Sequence, residues 1–342
     1  MLNSIKKTNA WKRVSQSYIY VYMREISKIK KIIKKYQKKY SFALASDIIN
    51  ERRLNKVPYD EYFLFGFDNC TNNKERHSYV TDIERVEFAN KLNKSENDHI
   101  FYDKYITYEV FGKFYGRDVL RIKSYDDKAQ FEKFISRHPK FISKPIDGGC
   151  GKGIKIFDTS AEKSKDLLLK KLLNEYKGKC IIENLIIQAE EMKSLHPESV
   201  NTLRVPTVRF DDRVEIIHPF LRVGQGGSVT DNAGSGGIIC AFDPCSSEVF
   251  ATADEFGNTY NIQPDTKKQL IGFKIPRWNE ACAMVKELAY FVPDNRYCSW
   301  DLALTEKGWI MVEVNAKGQF VWQYATKIGF RDEMNAILNE LT

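Results

Sequence analysis

Several stretches of this chain combine residue types that hold or activate phosphate. The densest is FISKPIDGGCGKGIKIF, residues 141–157, where Lys144 and Pro145 precede Gly148, Gly149, Gly151 and Gly153 between two apolar runs. Glycine lets backbone amides approach phosphate oxygens with no Cβ in the way, and lysine adds a point charge. The order is not that of a P-loop, because no Gly-Lys-Ser/Thr follows and the second flank reads as a strand. It is not the dinucleotide fingerprint either, since no strand–turn–helix unit surrounds it. Glycines in a hairpin between two strands form a flap that folds over a nucleotide; taken alone, the same pattern also describes a simple turn.

A second stretch, DLALTEKGWIMVEVNAKG, offers Asp301, Glu313 and Asn315 as oxygen ligands on two adjacent strands. Glu313 and Asn315 are two apart and share a face. Mg²⁺ prefers a few carboxylates completed by substrate phosphates, so this trio suits a metal clamp. The apolar neighbours Ile310, Val312 and Val314 speak against a merely solvated strand face. In SVNTLRVPTVRF, Arg204 sits mid-strand among apolar residues. A buried arginine needs an anion, which a phosphate, an acyl phosphate or a structural carboxylate would provide. In CIIENLI, Glu183 ends a buried strand, and backbone groups from Glu183 through Asn184 to Leu185 suit the edge of an adenine ring. Arg222, Asp231 and Asn232, around a glycine-rich loop, are candidates for the acceptor end, with Arg222 a carboxylate binder. His218 could act as a base, but a lone strand histidine is more often structural.

The elements that must position these groups follow from periodicity. Residues 17–40 place Ile26, Ile29, Ile33 and Tyr36 at helical spacing between lysines, which predicts a basic amphipathic helix. Residues 94–116 read as one helix entering through Asn97-Asp98. Strand patterns follow at 117–123, 140–145 and 154–158, then at 179–186, 199–210 and 214–224, with hairpins at 238–253 and 297–315. Pro206 removes a ladder N–H, so its strand is expected at a sheet edge or bulged there. The pattern is α+β: long antiparallel strands with helices packed on one side. We divide the chain into a basic helical extension (1–60), an N-terminal lobe (61–135), a small lobe with the glycine flap (136–186) and a large C-terminal lobe (187–342).

The length of 342 residues suffices for two or three packed lobes. The net charge of +8 is uneven. Residues 1–40 hold twelve Lys/Arg against Glu25, a local +11, which leaves −3 for the remainder. A nucleic-acid-binding body is therefore not expected, whereas the basic arm suits either docking on the body or attraction to an anionic membrane or acidic polymer. No run of 18 apolar residues occurs, and no secretory signal is read at the N-terminus. Seven scattered cysteines with no two-residue spacing fit reduced thiols in a cytoplasm, at most at the inner face of its membrane. Cys150 has no His or Cys close in sequence to activate it and reads as incidental.

In order, DKY with Lys104, ISKP with Lys144, GGCGKG, IIEN, NTLR, WDLAL and VEVN resemble the ATP-grasp superfamily. ESVNTLRV, LRVGQGGSVTDNAGSGGI and SWDLAL…VEVN resemble its sugar-transfer-associated branch, over roughly residues 60 to 335. The resemblance implies two α+β lobes clasping ATP. Lys104 and Lys144 would contact phosphates, Gly148 to Gly153 would cover them, and Glu183, Asn184 and Leu185 would hold adenine and ribose. Asp301, Glu313 and Asn315 would bind Mg²⁺, and Arg204, with Lys144, would stabilise the transferred phosphoryl group. The implied activity is a carboxylate–amine ligase using an acyl phosphate on an acidic sugar or polysaccharide precursor. A kinase using the same pocket, and a nucleotide-binding scaffold of a glycan assembly, are the alternatives.

Overall fold

The computed structural model describes residues 18–148, 151–162, 164–228, 231, 234 and 236–341. Gly149, Cys150, Asn232 and the first seventeen residues of the basic arm lie outside the described residues. Two antiparallel sheets organise the described chain. The small sheet runs β1 (Val119–Ile122), β4 (Cys180–Asn184), β2 (Lys140–Pro145), β3 (Lys155–Asp158) in spatial order. The large sheet runs β11 (Gly308–Asn315), β10 (Tyr297–Thr305), β5 (Thr202–Arg209), β7 (Phe220–Val223), β8 (Ile238–Phe242), β9 (Val249–Ala253), and β6 (Val214–Ile216) also pairs with β5. The 119–122 strand belongs to the small sheet, ahead of the division expected at 136.

The small sheet packs Phe141, Phe157, Cys180 and Ile182 on Phe131, Phe134, Leu168 and Leu172 of helices Lys128–Arg137 and Lys165–Tyr176. Burying each such large apolar side chain stabilises the lobe by roughly 1.5–3 kcal/mol. Ser164 caps the second of these helices by accepting from Leu167 N.

The large sheet is covered on both faces rather than one. Leu203, Val205, Leu221, Trp300, Leu302, Met311 and Val314 face a core closed by Trp278, Val285 and Leu288. The opposite face is split along its length. One end, with Val208, Phe220 and Tyr297, packs on Phe88, Trp322 and Phe330. The other end carries Thr202, Arg204, Arg222 and Asp301, and opens to a cleft.

Two local expectations are corrected. The 94–116 helix is broken at Asp103, whose carboxylate caps a separate helix Lys104–Phe111 through Tyr105 N and Ile106 N. Pro206 lies in an interior strand, not at an edge or on a bulge. On one side it faces Ser299 of β10, and on the other it sits between the β7 pairing and the β6 pairing, where the missing N–H disrupts no ladder. A bulge falls instead in β11: Asp301 pairs with Glu313 but Leu302 pairs with Met311, leaving Val312 as the extra residue. This extra residue changes the phase of the strand, so Met311 enters the core while Glu313, two residues on, turns to the other face.

The helix Tyr18–Lys35 docks on the body. Ile29, Ile33 and Tyr36 are buried against Ala45, Ile48, Tyr62 and Phe63, and Lys35 pairs with Asp60 at 2.7 Å. Arg24, Lys30, Lys31 and Lys34 stay exposed on its outer face. Among the described residues no helix is long and apolar enough to cross a membrane.

Candidate active site

Between the sheets lies a cleft of about 980 Å³. Its small-sheet wall is the β2–β3 hairpin and its flap. Gly148, Gly151 and Gly153 all hold positive φ, as the hairpin bend requires, and a Cβ on Gly153 would press on the Pro145 ring at 3.3 Å. Both ends of the flap are pinned. Lys104 Nζ donates to Gly148 O at 2.7 Å, and Tyr176 Oη donates to Gly153 O at 2.6 Å. Burial, with Lys144 nearby, lowers the pKa of Lys104 against the pull of Glu313. Ile142, Ile154, Ile156 and Leu185 to Ile187 line the apolar part of the cleft.

Lys144 Nζ donates to Glu183 Oε2 at 2.9 Å. The same oxygen accepts from Arg117 Nε at 2.8 Å. Burial alone would raise the Glu183 carboxyl, but the two cations hold it down at about 2. Glu183 therefore acts through its side chain as the anchor of Lys144. Asn184 is committed to the sheet edge, its Oδ1 accepting from Asp118 N at 2.8 Å.

Across the cleft the register of four strands, β7, β5, β10 and β11, lines up the polar groups. Thr202 pairs with Arg222, Arg204 with Asp301, and Asp301 with Glu313. Asp301 Oδ1 accepts from Arg204 Nε at 2.5 Å; Oδ2 accepts from Arg204 Nη2 at 2.7 Å and Arg222 Nη2 at 2.8 Å. Burial opposes ionisation, yet the two guanidinium groups keep the Asp301 pKa below its ordinary value. Asp231 is buried beside them and its pKa is raised by that burial. Its Oδ2 accepts from Thr202 N at 2.9 Å and lies 3.5 Å from Arg222 Nε. Arg222 lines the cleft; Arg204, its side chain 12% exposed, lies against Asp301 outside the lining.

The residues proposed for Mg²⁺ fit it unequally. The Glu313 carboxylate makes no hydrogen bond or ion pair among the described residues, which leaves its oxygens open to a cation; Asn315 Nδ2 is buried without a partner, but as a donor it suits a phosphate oxygen and not the cation. Asp301 has spent three of its four lone-pair directions on arginines. No cluster of three His, Cys, Asp or Glu side chains able to hold a metal occurs among the described residues. A hard cation here would thus need phosphate oxygens to complete its shell.

His218 is not near the cleft: it stacks on Trp322 and bonds Glu333 at 2.8 Å. Arg117, Tyr176 and Thr202 take part in the site but stood in none of the chemical roles read from the sequence. Tyr176 lies on a Lys/Leu-rich helix, and Arg117 after a glycine, with no spacing that marks them.

Two sheets clasp one cleft, with lysines under a glycine hairpin on one wall and an arginine–carboxylate–amide row on the other, in an α+β fold. Residues 84–339 match the family described as sugar-transfer associated ATP-grasp, and the chain belongs to it; the fold is the ATP-grasp fold. Among solved structures it is similar to the ATP-grasp ligase PsnB complexed with minimal precursor, Mg and ADP (13% identity, TM-score 0.44, 73% of this chain). This chain spans 61% of that PsnB chain's length. It is also similar to D-alanyl-alanine synthetase A from Vibrio cholerae (10% identity, TM-score 0.44, 73% of this chain and 67% of that one). A third is D-Alanine-D-Alanine Ligase from Helicobacter pylori (14% identity, TM-score 0.42, 73% and 62%). No curated protein matches the chain.

Proposed function

We propose that this protein is an ATP- and Mg²⁺-dependent carboxylate–amine ligase acting on an acidic sugar or a cell-surface polysaccharide precursor. The observation that carries the reading is the opposition of two charged walls across one cleft. Lys104 and Lys144 lie under the flap, and Arg222 with the Arg204–Asp301 pair lies opposite, across a cleft of about 980 Å³. Lys144 and Lys104 would take phosphate oxygens, and the apolar wall with the backbone after Glu183 would take adenine. Glu313 and Asn315, with the remaining lone pair of Asp301, would hold Mg²⁺, which supplies charge neutralisation between the phosphates. Arg222, with Arg204 behind it, orients the substrate carboxylate. A carboxylate oxygen attacks the γ-phosphorus and ADP leaves. The amine nitrogen then attacks the acyl carbon, inorganic phosphate departs with the bonding pair, and the nitrogen gives up a proton. The arginines balance the charge that gathers on the moving phosphoryl group.

A product screen by mass spectrometry with ATP, Mg²⁺ and paired acid and amine libraries tests this. The expected result is ADP and phosphate release only with both acceptors present, and a product joined by an amide. A phosphorylated alcohol formed without an amine would replace the ligase by a kinase, and ATP binding with no turnover would replace it by a scaffold. The sugar setting is supported by the family description alone. The exposed basic face of helix Tyr18–Lys35 supports a location in the cytoplasm against an anionic membrane surface. Vesicle binding that vanishes at high salt, with ATP hydrolysis unaffected, is the expected signature.

A further inference from the structure

Arg117 lies on the segment Tyr115–Gly116–Arg117, which follows the turn Gly112–Phe114, packs with Phe111 and Phe114 against the large sheet, and leads into β1. The packing is close. Gly116 has φ +56°, and a Cβ there would stand 2.5 Å from Ile310 Cγ2 of β11. The Arg117 side chain is 1% exposed, and its guanidinium lies 4.3 Å from the centroid of the Tyr115 ring. Nε donates to Glu183 of the small sheet. Nη1 donates to Tyr115 O at 3.1 Å and to Met311 O at 2.6 Å, and Nη2 donates to Val312 O at 3.1 Å. One side chain thus bonds the anchor of Lys144 and the bulge of the strand that carries Glu313 and Asn315.

Both contacts have consequences. Glu183 paired with Lys144 alone would form a neutral couple, leaving Lys144 little charge for a ligand. With Arg117 on the same carboxylate oxygen, the trio carries one net positive charge, presented at Lys144 Nζ on the cleft wall. At the bulge, Val312 is the residue without a cross-strand partner. Buried carbonyls there need donors. A planar fork meets one carboxylate and three carbonyls at fixed angles, which an ammonium cannot do.

We infer that Arg117 is a positioning residue that sets both halves of the phosphate site. It answers Glu183 so that Lys144 keeps its charge for the ligand, and it pins the β11 bulge that turns Glu313 and Asn315 into the cleft. The first half rests on the nucleotide reading proposed above; the second does not.

The test compares wild type, Arg117→Met and Arg117→Lys. Equilibrium binding of ATP with Mg²⁺, and of adenosine, is measured without acceptors, and backbone hydrogen exchange over 311–315 is measured in the ligand-free protein. Arg117→Met should weaken ATP binding by about tenfold or more while adenosine binding changes less than about twofold, because only the phosphate end loses charge. Exchange over 311–315 should speed up, while exchange over β5 stays as it was. Arg117→Lys should show the faster exchange with a smaller loss of ATP binding, and it decides the matter if the Met variant does not fold. Equal loss of ATP and adenosine, or unchanged ATP binding, overturns the charge half. Unchanged exchange overturns the strand half. If wild type binds no ATP, the nucleotide reading and the charge half fall together, and exchange alone judges the strand half.

Discussion

In the large sheet Asp301 accepts from Arg204 and Arg222; in the small sheet Glu183 accepts from Arg117 and Lys144. Both are buried carboxylates shared by two cations, and in both the cations overcome the cost of burying the charge. They differ in where the cations come from. Arg204 and Arg222 stand on β5 and β7 of the same sheet as Asp301, so strand register alone brings them together. Lys144 stands on β2 beside Glu183, but Arg117 also holds carbonyls of β11 in the other sheet. The Asp301 cluster is therefore a property of one sheet, whereas the Glu183 cluster ties two sheets together. Charge on the large-sheet wall is set within a rigid ladder. Charge on the flap wall depends on how the lobes meet.

The largest effect is expected from Asp301→Asn. It removes the anion that Arg204 pairs with and one of those around Arg222, which keeps Asp231 at 3.5 Å, and should lower unfolding stability by about 3–5 kcal/mol. ATP-dependent turnover should vanish with it. Denaturant unfolding and a phosphate-release assay check both outcomes. Glu183→Gln comes next, with a cost of about 1–3 kcal/mol. It costs less because Arg117 keeps the Tyr115, Met311 and Val312 carbonyls. Equal costs for the two variants would collapse the comparison.

The pH dependence sharpens it. The Glu183 carboxyl is depressed from an ordinary 4.5 to about 2 in the folded protein. A depressed acid stabilises the fold fully above its unfolded value, and that stability is lost as pH falls toward the folded one. The stability gap between wild type and Glu183→Gln should therefore narrow from pH 4.5 down to about 2. Unfolding at about pH 6 and about pH 3 tests this, and a gap that widens in acid would refute it.

The legibility of these two clusters in the sequence follows the same division. Arg204, Asp301, Glu313 and Asn315 announce themselves as polar residues at strand spacing in apolar runs, and the structure gathers them on one face of the large sheet. The Lys144–glycine hairpin was equally visible, since two apolar runs around glycines are a local signal. What one strand cannot show is its partner's phase. Thr305 pairs with Gly308, so counting back from that turn puts Val312, not Glu313, opposite Asp301; only the bulge restores the acid to its place. The sequence carries no mark of that extra residue. Nor does it mark Arg117, whose partners lie 66, 194 and 195 residues away. Sheet-internal chemistry is encoded by periodicity, and chemistry between sheets is encoded by packing, which has no period.

The smallest expected effect concerns the flap itself and separates its two pinned ends. Gly153 has φ +76° and a Cβ there would sit 3.3 Å from two atoms of the Pro145 ring, while its carbonyl accepts from Tyr176. Gly148 has φ +95°, but a Cβ there meets nothing within 4 Å. Alanine is strained by about 1–2 kcal/mol at either backbone angle. Only at residue 153 must it also displace a proline whose ring cannot rotate away, at the end of β2 next to Lys144. Gly153→Ala should therefore raise the KM for ATP several-fold more than Gly148→Ala, with similar small losses in melting temperature for both. If the two variants shift KM alike, the flap responds to backbone strain alone, and the Pro145 contact does not set the position of Lys144.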